Sequence, residues 1–167
     1  GPNLLVYLVD ALRADRLGCY GYDRDTSPEL DRFAAGSVLF TAAQAQTSWT
    51  RPAVASLLTG LWPQRHRAVD RDDVLPAAAT TMAEVLARAG FATAAVIANG
   101  NVDAAYGFDQ GFDYFKYVQQ VRLGELPARA AEVNPAVLAW LDQRPRERPF
   151  FLYVHTIDPH LPYDPPE

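Results

Sequence analysis

Apolar and polar positions fall in blocks of element length, and three blocks are almost wholly apolar. They are NLLVYLV (3–9), FATAAVIA (91–98) and PFFLYVH (149–155). Continuous apolar runs of that length predict strands covered on both faces, as in a parallel sheet. Between them the period changes to that of a helix. Thr81 and Glu84 have capping-box spacing, and Met82, Val85, Leu86 and Ala89 repeat at i, i+3, i+4 and i+7. Together they predict a helix over 82–89 that ends at Gly90. Ser27 as cap, Pro28 in the first turn and Glu29 at the positive end predict another helix start. Residues 51–59 predict a short apolar helix, and Asn134 and Pro135 start a further one with Val137, Leu138 and Leu141 inward. SVLF (37–40) is a short strand candidate, and DQRPRERP (142–149) a solvated loop. The order β-α-β-α-β predicts an α/β fold around a mostly parallel sheet.

Composition narrows this picture. The 167 residues are enough for one domain with a real core, and 49 % are apolar. A net charge of −5 argues against nucleic acid as a partner. No apolar run reaches the roughly 18 residues of a membrane span, and no signal peptide is visible. The single Cys19 excludes an intramolecular disulfide and a multi-cysteine metal site. The final LPYDPPE comes after a strong strand with no helix to cover it. It leads us to expect the N-terminal part of a larger domain, truncated on its C-terminal side.

In open α/β sheets ligands collect beyond the carboxyl ends of strands. That rule selects Asp10, Asn99 and the segment from His155 to His160. Asp10 suits a metal ligand, because a carboxylate is a hard oxygen donor; turn statistics alone would make it a cap. In TSWTRPAVASLLTG (47–60), Thr50 stands at a predicted helix start, where free N–H groups and the dipole favour an anion. A metal there would lower the hydroxyl's pKa and make it a nucleophile, with Arg51 as a clamp on a second anionic oxygen. A plain helix cap, by Thr50 or Ser48, is the competing reading. HTIDPHLPY (155–163) brings two imidazoles and a carboxylate together in a chain with three His, and Pro159 and Pro162 are expected to hold it extended. There His160 is read as the functional imidazole and His155 as a satisfied core residue. His66 has no evident partner and is read as a surface or loop residue.

These segments, in this order, resemble the sulfatase family of the alkaline phosphatase superfamily. NLLVYLVDALRADRLGCYGY is similar to the family's opening strand and metal-binding Asp, and TSPELDRFAAGSVLFTAAQAQ to the family segment next in order. TRPAVASLLTG occupies the place of the nucleophile signature C/S-x-P-S-R-x-x-L-x-T-G. LARAGFATAAV, GFDQGFDYF and FFLYVHTIDPHLPY match later landmarks. The resemblance implies an alkaline-phosphatase-like sandwich with helices on both faces of the sheet. It also implies a divalent ion (Mn, Zn, Ca or Mg) and group transfer through a covalent intermediate. Carried over, Asp10 becomes a metal ligand, Thr50 nucleophile and metal ligand, and His160 a catalytic contact to the leaving group or substrate. Arg51, Asn99 and His155 become substrate contacts, Asn99 lying near a family Lys that touches the anion. The remaining metal ligands are expected beyond Glu167, and an extracytoplasmic location is expected.

The departures carry information. Thr50 cannot yield the formylglycine of classical sulfatases by the same route, because its β-carbon bears a methyl group. Ala53 and Val54 stand where the signature has Ser and Arg, and Ala11 where the family has a second Asp. Thr is the nucleophile of relatives acting on phosphate esters, including phosphoglycerol transferases and nucleotide pyrophosphatases. The expected activity is therefore metal-dependent hydrolysis or transfer of a small-molecule phosphate ester. The alternatives are a sulfatase lacking formylglycine and a non-catalytic binding module.

Overall fold

The computed structural model describes residues 1–119 and 128–161. A four-stranded sheet runs in the order β1-β4-β2-β3, with β1 Leu4–Val9, β2 Ala92–Ile97, β3 Tyr114–Tyr117 and β4 Phe150–Thr156. Every pairing is parallel. The helices are α1 Pro28–Ala35, α2 Thr50–Thr59, α3 Pro63–His66, α4 Met82–Arg88 and α5 Ala130–Gln143. The backbone groups into two compact units, one of residues 1–10 and 46–167 and the other of 11–45. Among the described residues no helix is long and apolar enough to cross a membrane.

The apolar blocks of β2 and β4 behave as strands covered on both faces require, whereas β1, expected to be covered likewise, lies at the sheet edge with Leu5 58 % and Tyr7 46 % exposed. Along β2 and β4, Ala95, Ile97, Phe151 and Tyr153 pack with Val54, Ala55 and Leu58 of α2 and Ala83 of α4. The alternate residues Ala94, Val96, Leu152 and Val154 pack on the other face with Val133 and Ala136 of α5. Successive strand residues point to opposite faces, so two covered faces demand an unbroken apolar run. Gly111 shows how closely α4 approaches the sheet's loops. Its φ of +84° and the 2.2 Å that a β-carbon would leave to the Glu84 nitrogen admit glycine alone.

Several local expectations are corrected. SVLF forms no strand, and Val38 and Phe40 are exposed. The short β3, which pairs with β2, was not expected. On α4, Val85 faces solvent and Ala83 takes the buried position, with Met82 and Leu86 packed beside it. α5 begins four residues before Asn134, and Pro135 lies inside it. Its start is set instead by Glu132, which accepts the Arg129 N–H, and by the Asp158 carboxylate, which accepts the Ala130 N–H at 3.0 Å. Leu138 is exposed, and Val133 and Ala136 point inward with Val137, Trp140 and Leu141. Ser27 occupies the cap position of α1, as expected, but makes no side-chain cap bond; its hydroxyl donates to the Asp31 carboxylate and accepts the Gly18 N–H. The stretch expected to be extended turns back at His160, whose N–H donates to the Ile157 carbonyl. Pro162, Tyr163 and the rest of LPYDPPE beyond Leu161 lie outside the described residues.

Candidate functional site

The sheet register places the site. In one rung His155 of β4 lies between Leu8 of β1 and Ile97 of β2. Asp10 and Asn99 each stand two residues further on. The ladder continues there through Asp10 N–H to the Thr156 carbonyl and Ala98 N–H to the His155 carbonyl. Residues two apart share a face, so Asp10 and Asn99 emerge at the strand ends on the face covered by α2.

Four side chains meet there, three of them converging on one oxygen of the fourth, Asp10. Asp10 Oδ2 accepts from the Thr50 hydroxyl at 3.1 Å, the Asn99 amide at 2.6 Å and His155 Nε2 at 3.3 Å. Thr50 is the first residue of α2, and Trp49 occupies the cap position without a side-chain cap bond. The hydroxyl is thus directed at Asp10, not at the helix's own N–H groups. It is half-buried, as is Asp10. Burial acts to raise the Asp10 pKa. Hydrogen bonds from His155, Asn99 and Thr50 outweigh it, holding the carboxyl below its ordinary 3.8.

Each donor is held in turn. Asn99 Oδ1 accepts the Asn101 N–H at 2.9 Å, which leaves its amide nitrogen to face Asp10. Asn99 is almost fully buried, so its contact is to Asp10 and not to the open surface. His155 is fully buried, and its Nδ1 meets the Tyr153 hydroxyl at 3.1 Å. Burial, reinforced by the Asp10 charge, pushes the Tyr153 phenol far up, so it stays a donor. In a neutral ring the carboxylate takes the Nε2 proton and Nδ1 accepts from the phenol. His155 is therefore a buried histidine with both ring nitrogens satisfied, as the core reading expects, and one of its two partners is Asp10.

Arg51 is placed away from the clamp role expected for it. It is 1 % exposed, lies with its guanidinium 3.5 Å from the Tyr106 ring centroid, and donates to the carbonyls of Asn101, Asp70, Arg71 and Asp73. Its Nε bond to the Asn101 carbonyl, 2.9 Å, closes a ring of contacts: Thr50 to Arg51, Asn101, Asn99, Asp10 and back to Thr50. Its part is to fix the start of α2 against the loop after β2. His160 is exposed, its Nδ1–H donating to the Leu161 carbonyl at 2.8 Å, and it contacts none of the four converging side chains. His66 is buried, contrary to the surface reading, with Nε2 3.1 Å from the Ser56 hydroxyl. Tyr153 and Asn101 escaped the sequence reading. The strand alternation that pairs Tyr153 with His155 was the available signal.

The open oxygen of Asp10 and the half-exposed Thr50 hydroxyl form a hard donor pair, suited to a divalent cation that prefers oxygen. Two ligands are a partial set. No cluster of three or more His, Cys, Asp or Glu that could hold a metal occurs among the described residues.

Comparison with known proteins bears on this site. The family model described as Sulfatase matches residues 2–167. An N-acetylgalactosamine-6-O-sulfatase of Bacteroides thetaiotaomicron is 34 % identical over 100 residues, covering 57 % of this chain and 20 % of that protein. A structure solved with its substrate D-glucosamine-2-N,6-O-disulfate superposes with a TM-score of 0.84 at 20 % identity, over 98 % of this chain and 36 % of that one. The phosphonate monoester hydrolase of Agrobacterium radiobacter superposes at 0.81 with 22 % identity, over all of this chain and 43 % of that one. The chain thus spans less than half the length of each of the three.

Proposed function

The chain belongs to the sulfatase family, and from that premise we propose that it supplies the nucleophile side of a metal-assisted ester-cleaving site, with Thr50 as nucleophile. The observation that carries this reading is the 3.1 Å bond from the Thr50 hydroxyl to Asp10 at the start of α2. Asp10 and Thr50 are the residues that would hold the cation. A carboxylate held below 3.8 is a weak base, so Asp10 orients the hydroxyl without storing its proton. A divalent cation, when bound, supplies the Lewis acidity that lets a threonine hydroxyl react near neutral pH.

In the first half-reaction Thr50 Oγ1 forms a bond to phosphorus as the ester P–O bond breaks. The hydroxyl proton passes to water while Asp10 orients the oxygen, and the departing alkoxide takes a proton from water, so no net proton is gained or lost. Free N–H groups at the start of α2 face the developing charge. Water or an acceptor alcohol then displaces Thr50. His160 is assigned to the leaving-group side on the family resemblance, and Asn99, His155 and Arg51 to holding the frame. Preference for phosphate rests on the methyl group of Thr50, which bars the formylglycine route. The location proposed for the whole protein is extracytoplasmic.

A sulfate ester is the second reading, favoured by the N-acetylgalactosamine-6-O-sulfatase likeness. Aryl phosphate, a phosphodiester and aryl sulfate assayed side by side on the whole protein separate the two. Faster sulfate cleavage overturns the phosphate preference. Mass spectrometry of quenched enzyme tests the nucleophile: a phosphate adduct on the peptide bearing Thr50 is expected, and its appearance elsewhere ends the assignment.

A further inference from the structure

The two oxygens of Asp10 are not equivalent. Oδ2 accepts from three elements at once: α2 through Thr50, the loop after β2 through Asn99, and β4 through His155. Oδ1 accepts no hydrogen bond from any described residue, and the Asp10 side chain is 15 % exposed. An aspartate carboxylate turns easily about its last torsion, whose preference is broad and two-fold. Nothing intrinsic to Asp10 selects which oxygen faces outward; the three donors do.

Two of those donors have other duties. Thr50 is the nucleophile of the proposed reaction, and Asn99 also caps the turn Gly100–Val102. His155 makes two side-chain hydrogen bonds, one to Asp10 and one to Tyr153, and it is fully buried. Its ring cannot reorient without breaking both. A neutral ring that gives its Nε2 proton to the Asp10 carboxylate leaves Nδ1 to accept from the Tyr153 phenol. The pair stands on one face of β4 and is sheltered by the core beneath α2.

We infer that Tyr153 and His155 are positioning residues, which pin Asp10 Oδ2 and thereby present Oδ1 to a divalent cation. The inference rests on the reading of Asp10 as a cation ligand. Groups that orient a ligand from behind change metal affinity about 10- to 100-fold when removed.

The test is Mn²⁺ titration of the purified whole protein, read by loss of the free-ion electron paramagnetic resonance signal, so that no turnover is needed. His155→Leu is expected to weaken Mn²⁺ by about 10- to 100-fold. His155→Gln, whose amide can still donate toward Asp10, is expected to restore most of the affinity. Tyr153→Phe is expected to weaken Mn²⁺ less. It should also shift the His155 ring nitrogens, by ¹⁵N spectroscopy, from a single Nε2–H tautomer toward a mixture. Wild-type protein that binds no Mn²⁺ overturns the cation reading of Asp10, and the inference with it. Wild-type binding with Leu and Phe variants of equal affinity overturns the inference alone. Should His155→Leu fail to fold, Tyr153→Phe decides: an unchanged tautomer and unchanged affinity overturn it.

Discussion

Two places in this molecule set a hydroxyl beside an imidazole, and they differ in everything that matters for reactivity. At the sheet's carboxyl edge, the Thr50 hydroxyl and the His155 imidazole meet on a carboxylate that keeps one oxygen open. Behind α2, the Ser56 hydroxyl lies 3.1 Å from His66 Nε2 and borders a cavity of about 200 Å³. By distance alone the second pair looks the better dyad. Its tautomer excludes that role. The Ala68 N–H donates to His66 Nδ1 at 3.1 Å, so the neutral ring carries its proton on Nε2 and donates toward Ser56. A ring that donates cannot take the serine's proton, and among the described residues no carboxylate orients it. Proximity of the two groups is common to both places; a carboxylate and an open oxygen belong to one.

The sharpest way to break this contrast is to delete each hydroxyl in the whole protein. Thr50→Ala is expected to lower kcat by about a thousandfold or more while circular dichroism stays unchanged. Ser56→Ala is expected to leave kcat near wild type and to lower stability by about 1 kcal/mol, the worth of one buried hydrogen bond. Comparable losses of kcat in both variants would erase the distinction.

The frame that holds Thr50 gives the next largest effect. Arg51→Ala removes the donor to four backbone carbonyls and opens a cavity where the guanidinium lay. Urea unfolding should show a loss of about 3–5 kcal/mol, the range for breaking a buried charged network. Were Arg51 a substrate clamp instead, KM would rise and stability would hold.

Acid separates the two regions by pH window. His66 is held below its ordinary 6.5, chiefly because burial disfavours the charged ring, with a backbone bond to Pro52 acting the other way. A depressed pKa means the unfolded chain binds more protons. Stability is then full above 6.5 and falls as pH drops below it. Asp10 is also depressed, so its contribution is full above 3.8 and is lost as pH falls through the lower folded value. Unfolding midpoints measured from pH 7.5 to 5 should decline in wild type and decline less in His66→Gln. Asp10→Asn should leave that window's slope in place and flatten the one below pH 4.

How far the sequence could anticipate these two regions depends on the range of each interaction. The apolar blocks of β2 and β4 were legible because burial on both faces leaves no choice of side chain. β3 was not, since YFKY is four residues with an exposed Lys116. The 37–40 block misled because Val38 and Phe40 are apolar yet exposed. The phase of α4 slipped because Ala83, a small residue, carries less apolar signal than exposed Val85. Asp10, Asn99 and Thr50 were singled out because strand ends and helix starts mark them locally, and the three side chains do lie together. Arg51 was misassigned because its acceptors are backbone carbonyls 19 to 50 residues away, which no side-chain pattern records. His66 was read as exposed because its side-chain partner, the Ser56 hydroxyl, lies ten residues earlier on another helix.

Each region also carries one residue in the left-handed region, and these yield the smallest effects. Ala11, at φ +58°, comes directly after Asp10; Arg67, at φ +62°, comes directly after His66. A side chain there costs about 1 kcal/mol, which glycine avoids. Arg67→Gly and Ala11→Gly should each raise stability by up to about 1 kcal/mol by thermal unfolding. Aspartate tolerates this conformation better than most residues, and the two positions then diverge. Ala11→Asp adds a second carboxylate directly after Asp10 in the chain. Without a cation the two charges repel, offsetting any backbone gain; with Mn²⁺ that repulsion is relieved. Mn²⁺ should therefore raise the melting temperature of Ala11→Asp more than that of wild type, and leave Arg67→Asp no more responsive than wild type. An Ala11→Asp protein indifferent to Mn²⁺ would place the cation elsewhere than at the end of β1.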